Sequence, residues 1–317
     1  MKTLKKIGIG FLLFLLISSI GGYFYFKDAF KAPKNLVHVS GESSEINLSW
    51  NKGKFSDREG LFIPVKLPYA KETYYMQFDL GAVYSVTYNT AIQSIRKKYD
   101  LPDNTEENYF KEFSLELGNL NLKYDSIKNL DFGKSIDWED TVSKKIIGTI
   151  GADFIEKVKA IIDFKNSKAY FSLVTLDSLK NNPLATSFEF KERKILIPSK
   201  INGISKKLMW DTGASAYDLI TSKDNWEQMA LNKESIKPHD ANQLKRKLKV
   251  YTAKSDAQLS IGDSNLNLNT VTYIEGFPWY VELAMQFSGM EGMIGNNLFK
   301  NSKIFIDVKN EDLIIFQ

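Results

Sequence analysis

The sequence contains no cysteine and only two histidines among its 317 residues. Without cysteine there can be no disulfide, thiol nucleophile, iron–sulfur cluster or cysteine-ligated zinc. His38 and His239 are too few for a two-histidine zinc helix, and neither stands at metal-ligand spacing from a carboxylate. Both are therefore expected at the surface or in loops, and we expect neither a metal nor a cofactor.

An excess of charge of one sign is also lacking. The chain has 42 basic and 38 acidic residues, which are interspersed and give a net charge of +4. This balance provides no electrostatic surface for nucleic acid, so no nucleic-acid partner is expected. With 43% hydrophobic and 25% charged residues, the composition is that of a globular protein with one large domain or two modest ones.

A long hydrophobic run occurs only at the start of the chain. Three lysines precede residues 7–26, which are uncharged and long enough to span a bilayer as a helix. A cleaved signal peptide is the alternative, because small residues at 19–21 offer a cleavage site. An uncleaved anchor is favoured, since the apolar run continues past that site. Either reading places the rest of the chain outside the cytoplasm.

The remainder of the sequence predicts a mostly β protein. Apolar runs of four to eight residues recur from Leu36 onward, rich in Ile, Val, Phe and Tyr and separated by Gly, Asn and Asp. Helical periodicity is confined to short pieces, residues 89–100 and 222–233, each of which begins with a polar residue able to cap a helix.

An internal duplication is the most informative feature of the sequence. Four segments recur in the same order: IPVK and IPSK, FDLGA and WDTGA, LELGNLNL and LSIGDSNLNL, and the stretches 150–166 and 294–310. Asp79 and Asp211 are 132 positions apart, whereas Gly118 and Gly262 are 144 apart. Twelve additional residues must therefore lie between the Asp-Thr-Gly turn and Gly262 in the second half.

The duplication predicts three parts of the chain. Residues 1–34 are the membrane anchor and tether, residues 35–180 the first lobe, and residues 181–317 the second lobe. The connection is expected within residues 175–187, which carry turn-forming residues and a proline.

The duplicated aspartates carry the predicted chemistry. In each half an apolar run ends in Asp79 or Asp211, a glycine follows two positions later, and an apolar-apolar-glycine element ending at Gly151 or Gly295 comes further on. If the halves pack around a pseudo-twofold axis, the two carboxylates meet. At about 3 Å they share one proton, so one carboxylate acts as a base toward water while the other donates to a carbonyl.

These residues resemble the active-site signature of pepsin-like and retropepsin-like aspartic proteases. The resemblance covers residues 58–317 and is clearest at Asp211-Thr212-Gly213-Ala214, with Asp79-Leu80-Gly81-Ala82 as the matching copy. Two copies in one chain resemble the bilobal pepsin plan, while the lobe size and the Asp-x-Gly-Ala form are similar to bacterial retropepsin-like domains. The resemblance implies two acid-protease-like β-barrel lobes and a catalytic Asp79/Asp211 dyad. The supporting turns would be formed by Gly81, Ala82, Thr212, Gly213 and Ala214.

The sequence departs from the family pattern at three positions. The residue after each aspartate is normally Thr or Ser, whose hydroxyl grips the opposite turn; Thr212 can do this and Leu80 cannot. Ala82 and Ala214 replace residues that often carry a hydroxyl donor to the carboxylate. Because losing such a donor raises the pKa of a carboxyl, an optimum between about pH 5 and 7 is expected.

The surroundings of the cleft are less well specified by the sequence. A flap is expected within residues 100–117, where Tyr109 and Phe110 are candidates. The basic run 245–249 either shapes the cleft rim or forms a solvated strand face, which is favoured. Asp163 and Asp307 are also duplicated but are interpreted as turn residues.

Two functions follow from these patterns. The leading hypothesis is a monomeric, membrane-anchored aspartic endopeptidase that acts on peptides or proteins outside the cytoplasmic membrane. The alternative, motivated by Leu80, is a catalytically silent module that binds extended peptides in the cleft between the lobes.

Overall fold

The computed structural model describes residues 31–174, 176–243, 246–276 and 289–316. By its internal contacts the chain divides into Met1–Lys34 and Asn35–Gln317. The predicted membrane anchor, residues 7–26, lies outside the described residues and stays a prediction. Within the described part, no helix combines the length and apolar character needed to span a membrane.

The described residues of Asn35–Gln317 form mainly strands, which confirms the prediction of a mostly β chain. Up to residue 150 the strands are β1 (Val37–Ser40), β2 (Ser43–Asn47), β3 (Ser49–Asn51), β4 (Gly60–Lys66), β5 (Thr73–Phe78), β6 (Val86–Tyr88), β7 (Thr105–Glu106), β8 (Tyr109–Leu117), β9 (Leu120–Leu130) and β10 (Ile146–Ile150). Those between residues 159 and 220 are β11 (Lys159–Asp163), β12 (Lys168–Ser172), β13 (Thr186–Ser187), β14 (Glu189–Lys191), β15 (Lys194–Ile201), β16 (Ile204–Trp210) and β17 (Leu219–Ile220). The last are β18 (His239–Gln243), β19 (Arg246–Lys254), β20 (Gln258–Ile261), β21 (Ser264–Asn267), β22 (Thr270–Glu275), β23 (Gly292–Ile294), β24 (Lys303–Asp307) and β25 (Asp312–Phe316).

Helices are few and short in the described residues. The α-helices are α1 (Asn89–Tyr99), α2 (Ala152–Ile155) and α3 (Lys223–Met229). Single 3-10 turns occur at Asp177–Leu179, Thr212–Ala214, Lys233–Ser235 and Asn296–Phe299.

Two of the three sheets repeat one strand plan. The first sheet contains the order β9-β6-β10-β5-β4-β8, and the second contains β22-β17-β23-β16-β15-β20. In both, the strand that ends at the Asp-x-Gly turn, β5 or β16, pairs in parallel with the strand of the later glycine element, β10 or β23. The sequence duplication is therefore also a duplication of topology.

The third sheet joins the two halves. Its order is β13-β25-β24-β11-β12-β2, with β11 and β24 antiparallel at the centre. The predicted connection, residues 175–187, therefore includes a strand, β13, in addition to turns. Asp163 and Asp307 end the central strands, and they accept hydrogen bonds from the backbone N–H groups of Asn166 (2.9 Å) and Asn310 (3.3 Å). Both aspartates lie in turns, as interpreted from the sequence.

The two predicted helices form close to their expected positions. In α1 the buried residues Ala91, Ile92 and Ile95 follow helical spacing, so one face packs on the core. The second begins with Ser222, whose hydroxyl caps the helix by accepting a hydrogen bond from the N–H of Asn225 (3.3 Å). It ends at Met229, earlier than the sequence pattern indicated.

The additional residues of the second half lengthen one hairpin. In the first half β7 pairs with β8 over only two residues, whereas β18 and β19 pair over five. Lys247 and Lys249 are exposed and alternate with the buried Leu248 and Val250. The described part of the basic run is thus a solvated strand face, as favoured from the sequence.

Aromatic side chains fill the core behind both aspartates. Phe78, just before Asp79, packs edge-on against Phe171 of the shared sheet, with ring centroids 5.8 Å apart. Trp210, just before Asp211, packs against Phe299 at 5.6 Å. These rings are fully buried, so the backbone that carries each aspartate rests on a close-packed layer.

Candidate active site

The same backbone contact positions both aspartates. The N–H of Asp79 donates to the carbonyl of Ile150, and the N–H of Asp211 donates to the carbonyl of Ile294, each at 3.0 Å. Each acceptor is the last residue of the strand that pairs in parallel with the aspartate-bearing strand, β10 in the first half or β23 in the second. The apolar-apolar-glycine element that the sequence placed far from each aspartate therefore lies directly beside it.

The glycines of these elements allow close passage of two backbones. A Cβ added at Gly151 would lie 2.7 Å from the carbonyl oxygen of Ala82, and one added at Gly295 would lie 2.1 Å from that of Ala214. No side chain fits at such distances, so glycine is required where the later strand crosses the turn.

The two turns face each other across the halves. A Cβ at Gly81 would lie 2.5 Å from the carboxyl carbon of Asp211, and a Cβ at Gly213 would lie 2.6 Å from that of Asp79. Each glycine therefore leaves room for the carboxylate of the opposite half. This reciprocal contact brings together Asp79 and Asp211, the two residues that the sequence predicted as a dyad.

Backbone N–H groups orient the two carboxylates. Oδ1 of Asp79 accepts from Gly81 (2.9 Å) and Ala82 (3.1 Å). Oδ1 of Asp211 accepts from Gly213 (2.7 Å) and, across the interface, from Gly81 (3.1 Å). Because these donors belong to tight turns, they hold the carboxylates without any flexible side chain.

Thr212 forms the hydrogen bonds to the opposite turn that the resemblance implied for it. Its hydroxyl accepts from the N–H of Leu80 and donates to the carbonyl of Phe78, both at 2.8 Å. Thr212 is fully buried, and so is Leu80, which belongs to the hydrophobic core. These hydrogen bonds thus connect a side chain of the second half to the backbone of the first half. Leu80 has no hydroxyl that could form the matching hydrogen bonds to the second half, and it contributes apolar packing instead.

The pKa values of the two aspartates are raised for different combinations of reasons. Burial raises the pKa of Asp79, while hydrogen bonds from Asp211, Gly81 and Ala82 oppose that rise. The pKa of Asp211 is raised much further by burial, by the negative charge of Asp79 and by the hydrogen bond in which it acts as donor to Asp79. A single proton is therefore shared between the two carboxyl groups, which titrate as a pair.

Asn296 is a site residue that the sequence pattern did not identify. Its amide donates to the carbonyl of Thr212 (3.0 Å) and to the hydroxyl of Ser215 (2.7 Å), and it is fully buried. The equivalent position of the first half is Ala152, which has no polar group. The sequence did contain one indication of it. When the two copies are aligned, Asn296 stands opposite Ala152 in otherwise similar segments.

A buried network supports the first half further from its aspartate. Ser85 accepts from the N–H of Gly151 (3.1 Å) and from Tyr124 (3.1 Å), and donates to Asp153 (2.7 Å). Burial raises the pKa of Asp153. Sequence reasoning did not find this set, because Ser85 lies outside the duplicated segments and Asp153, within the stretch 150–166, is replaced by Asn297 in the other copy.

A tyrosine also lies near the first aspartate. The hydroxyl of Tyr88 is 2.7 Å from that of Thr149, the first residue of the Thr-Ile-Gly element. Burial raises the pKa of Tyr88, and the charge of Asp79 raises it further. Tyr88 is thus a neutral hydroxyl close to the dyad.

The predicted flap segment forms a short hairpin. Thr105 pairs with Phe110 and Glu106 with Tyr109, and the intervening residues 107 and 108 both have positive φ. Tyr109 is exposed, but Phe110 is buried in the core with 3% exposure. Of the two flap candidates, Phe110 is therefore turned inward by strand alternation, and Tyr109 faces outward.

The histidines and acidic groups do not assemble a metal site in the described residues. His38 lies exposed on β1, with Nε2 3.0 Å from a carboxylate oxygen of Asp125. His239 starts β18 and stacks on Phe55 with ring centroids 3.8 Å apart.

Comparison with known proteins gives a likeness in structure alone. No family model and no curated protein matches the chain. Among solved structures it is similar to the aspartic proteinase from Irpex lacteus, at 11% sequence identity and a TM-score of 0.49, with 87% of this chain and 97% of that chain covered. At this identity and TM-score the likeness carries no conclusion about the chemistry of this chain.

Proposed function

We propose that this chain is an aspartic endopeptidase that hydrolyses peptide bonds with a water activated by Asp79 and Asp211. The observation that carries the proposal is the reciprocal contact of the two Asp-x-Gly turns, in which each glycine faces the other carboxylate. The raised pKa values of both groups support it, since a pair that shares one proton provides a base and an acid together.

The proton arrangement assigns a role to each aspartate. We assign the base to Asp79, because the pKa of Asp211 is raised further. Asp79 removes a proton from a water between the carboxyls as the water oxygen attacks the scissile carbonyl carbon. Asp211 gives its proton to the carbonyl oxygen, so the tetrahedral intermediate is a neutral diol. Asp79 then protonates the leaving nitrogen, the carbon–nitrogen bond breaks, and a diol proton returns to Asp211. The dyad is thereby restored.

The remaining predicted residues act as supports in this proposal. Gly81, Ala82 and Gly213 present backbone donors to the carboxylates, and Thr212 fixes the distance between the turns. Ala214 continues the second turn, with its N–H donating to the carbonyl of Asp211 (3.2 Å). Fixed donors of this kind cost no reorganisation during the reaction.

The cellular setting of the proposal rests on the sequence. Residues 7–26 would anchor the chain in the cytoplasmic membrane, and residues 35–180 and 181–317 would form the two lobes of a monomer outside it. Its substrates would be peptides or proteins in extended form, because β-strand pairing in a cleft between lobes recognises extended backbone.

The decisive experiment removes one carboxylate at a time. Asp79→Asn and Asp211→Asn should each lower kcat for a peptide library by at least about a thousandfold, because neither variant can both accept and donate the shared proton. Circular dichroism and the melting temperature check that each variant is folded. Asp163→Asn is the matched control, since it alters a duplicated aspartate in a turn of the shared sheet, outside the candidate site, and should leave kcat unchanged. Retained turnover in either dyad variant would refute the proposal.

The silent binding module makes the opposite prediction. It would bind a peptide-like transition-state analogue but release no cleaved product from the same library. Leu80 motivated this alternative, yet its backbone N–H still donates a hydrogen bond to the Thr212 hydroxyl, so a leucine at this position does not separate the turns. The catalytic proposal is accordingly preferred.

A further inference from the structure

Arg193 reaches from the second half to the turn that carries Asp79. Its guanidinium donates from Nη1 to the carbonyl of Val83 (3.1 Å) and from Nε to Oε2 of Glu156 (3.0 Å). The side chain is only 4% exposed. A buried arginine that crosses between halves and donates to backbone is a costly arrangement unless each donor is used.

Arg193 has a left-handed backbone conformation, which is unfavourable for a residue with a side chain. Glu192 and Arg193 form the two-residue turn between β14 and β15, with φ of 48° and 57°. Such a turn favours Gly, Asn or Asp, because a Cβ crowds the backbone at positive φ. The contacts of the Arg193 side chain with the first half offset this local cost.

The partner Glu156 connects the same contact to the glycine element. It follows α2, which begins directly after Gly151. Its carboxylate also accepts a hydrogen bond from Asn35, whose amide donates as well to the carbonyl of Asp153 (2.7 Å). Arg193 therefore holds both segments that frame Asp79, namely the turn at Val83 and the helix after Gly151.

The first half has a specific need for such a contact. Its position equivalent to Asn296 is Ala152, so the polar support that holds the carbonyl of Thr212 in the second half has no counterpart beside Leu80. Between Asp79 and Ser85 the hydrogen bonds from outside the turn include those of Thr212 with the Leu80 N–H, of the Ala152 N–H to the carbonyl of Ala82 (2.8 Å), and of Asp153 with Ser85. Arg193 adds the contact to the carbonyl of Val83, between these points.

We propose that Arg193 is a positioning residue for Asp79, which fixes the first active-site turn from the second half of the chain. By holding the carbonyl of Val83 it fixes the adjoining N–H groups of Gly81 and Ala82, which orient the Asp79 carboxylate. This inference rests on the proposed peptidase function, in which Asp79 is the base.

The test compares two glycine substitutions within one turn. Arg193→Gly relieves the left-handed backbone but removes the cross-half contact, whereas Glu192→Gly gives the same backbone relief and keeps Arg193. In the full chain, Arg193→Gly should lower kcat by about ten- to hundredfold, as expected for a displaced catalytic group, with KM changed less than threefold. Glu192→Gly should keep kcat, and Arg193→Lys should restore part of it through one remaining donor.

A second measurement separates failure of this inference from failure of the proposed function. Amide hydrogen exchange of the peptide covering residues 79–85 should be faster in Arg193→Gly than in Glu192→Gly, whether or not the wild type cleaves peptides. Equal exchange in the two variants, or equal kcat where the wild type is active, would overturn the role of Arg193. Faster exchange with no wild-type turnover would support the contact while refuting the peptidase.

Discussion

The two halves place the same aspartate on the same topology but support it in different ways. In the second half the support is internal: Asn296 holds the carbonyl of Thr212, and Ser215 donates to that carbonyl as well (2.6 Å). In the first half, the residue beside the aspartate is the apolar Leu80, and support reaches the turn from the other half through Thr212 and Arg193.

This difference shows which parts of a duplicated site are fixed by chemistry and which are exchangeable. Both copies keep the aspartate, the glycine two positions later and the distant glycine, since the close approach of the halves leaves no room for a Cβ. The hydrogen bonds that support the turns can come from any direction, provided that buried N–H and C=O groups find partners. The first turn thus depends on Thr212 and Arg193 of the second half in addition to the Ser85–Asp153 contacts within its own half.

The strongest way to break this dependence is Thr212→Val. The substitution keeps the shape of the side chain but leaves the N–H of Leu80 and the carbonyl of Phe78 without their hydroxyl partner. Each buried group left unsatisfied costs about 1–3 kcal/mol, so we expect a lower free energy of unfolding and a large loss of kcat. Urea unfolding and steady-state kinetics measure the two effects.

Thr212→Ser is the matched control for that prediction. It retains the hydroxyl and loses only a methyl group, a change worth about 1 kcal/mol of burial. If Thr212→Val and Thr212→Ser had equal stability and equal kcat, the hydrogen bonds of the Thr212 hydroxyl to the first turn would contribute nothing to stability or catalysis.

A smaller effect is expected from Asn296→Ala, which gives the second half the residue found in the first. The carbonyl of Thr212 keeps the Ser215 hydroxyl, so the loss should be about 1–2 kcal/mol in the free energy of unfolding. Exposed Asn166→Ala is the control and should change stability by less than about 0.5 kcal/mol. Equal values for the two variants would show that the internal support of the second turn is unimportant.

The sequence predicted the features that repeat. The duplication located both aspartates, their glycines and the two crossing strands, because these positions are constrained by backbone approach and recur at nearly constant spacing. The mostly β character followed from apolar runs of strand length, and α1 from the spacing of Ala91, Ile92 and Ile95.

Features that do not repeat could not be predicted in the same way. Arg193 and Glu156 are 37 positions apart. Arg193 lies outside the duplicated segments, and Glu156 lies within the stretch 150–166 but is replaced by Lys300 in the other copy. The burial of Phe110 could not be predicted, because the facing of a strand depends on its register, which the sequence did not specify for the short β7–β8 hairpin. Asn296 was visible only as a difference between copies, whose meaning required the contact with Thr212.

The smallest expected effect is on the pH dependence of activity, because each half contributes one of the two carboxyl groups. Raised pKa values for both aspartates predict a bell-shaped profile of kcat/KM. The alanines at positions 82 and 214 place its expected optimum between about pH 5 and 7. The acid limb reports the first deprotonation of the pair and the alkaline limb the second, which the proposed mechanism assigns to Asp79 and Asp211 respectively. Ala82→Ser would add a hydroxyl donor to the charged form of Asp79, lower its pKa and move the acid limb down by up to about one pH unit. Ala214→Ser would do the same for Asp211 and move the alkaline limb down instead, so one substitution widens the profile and the other narrows it.

A wild-type optimum below about pH 3, or a shift of the same limb by both variants, would contradict the assignment of base and acid to the two halves.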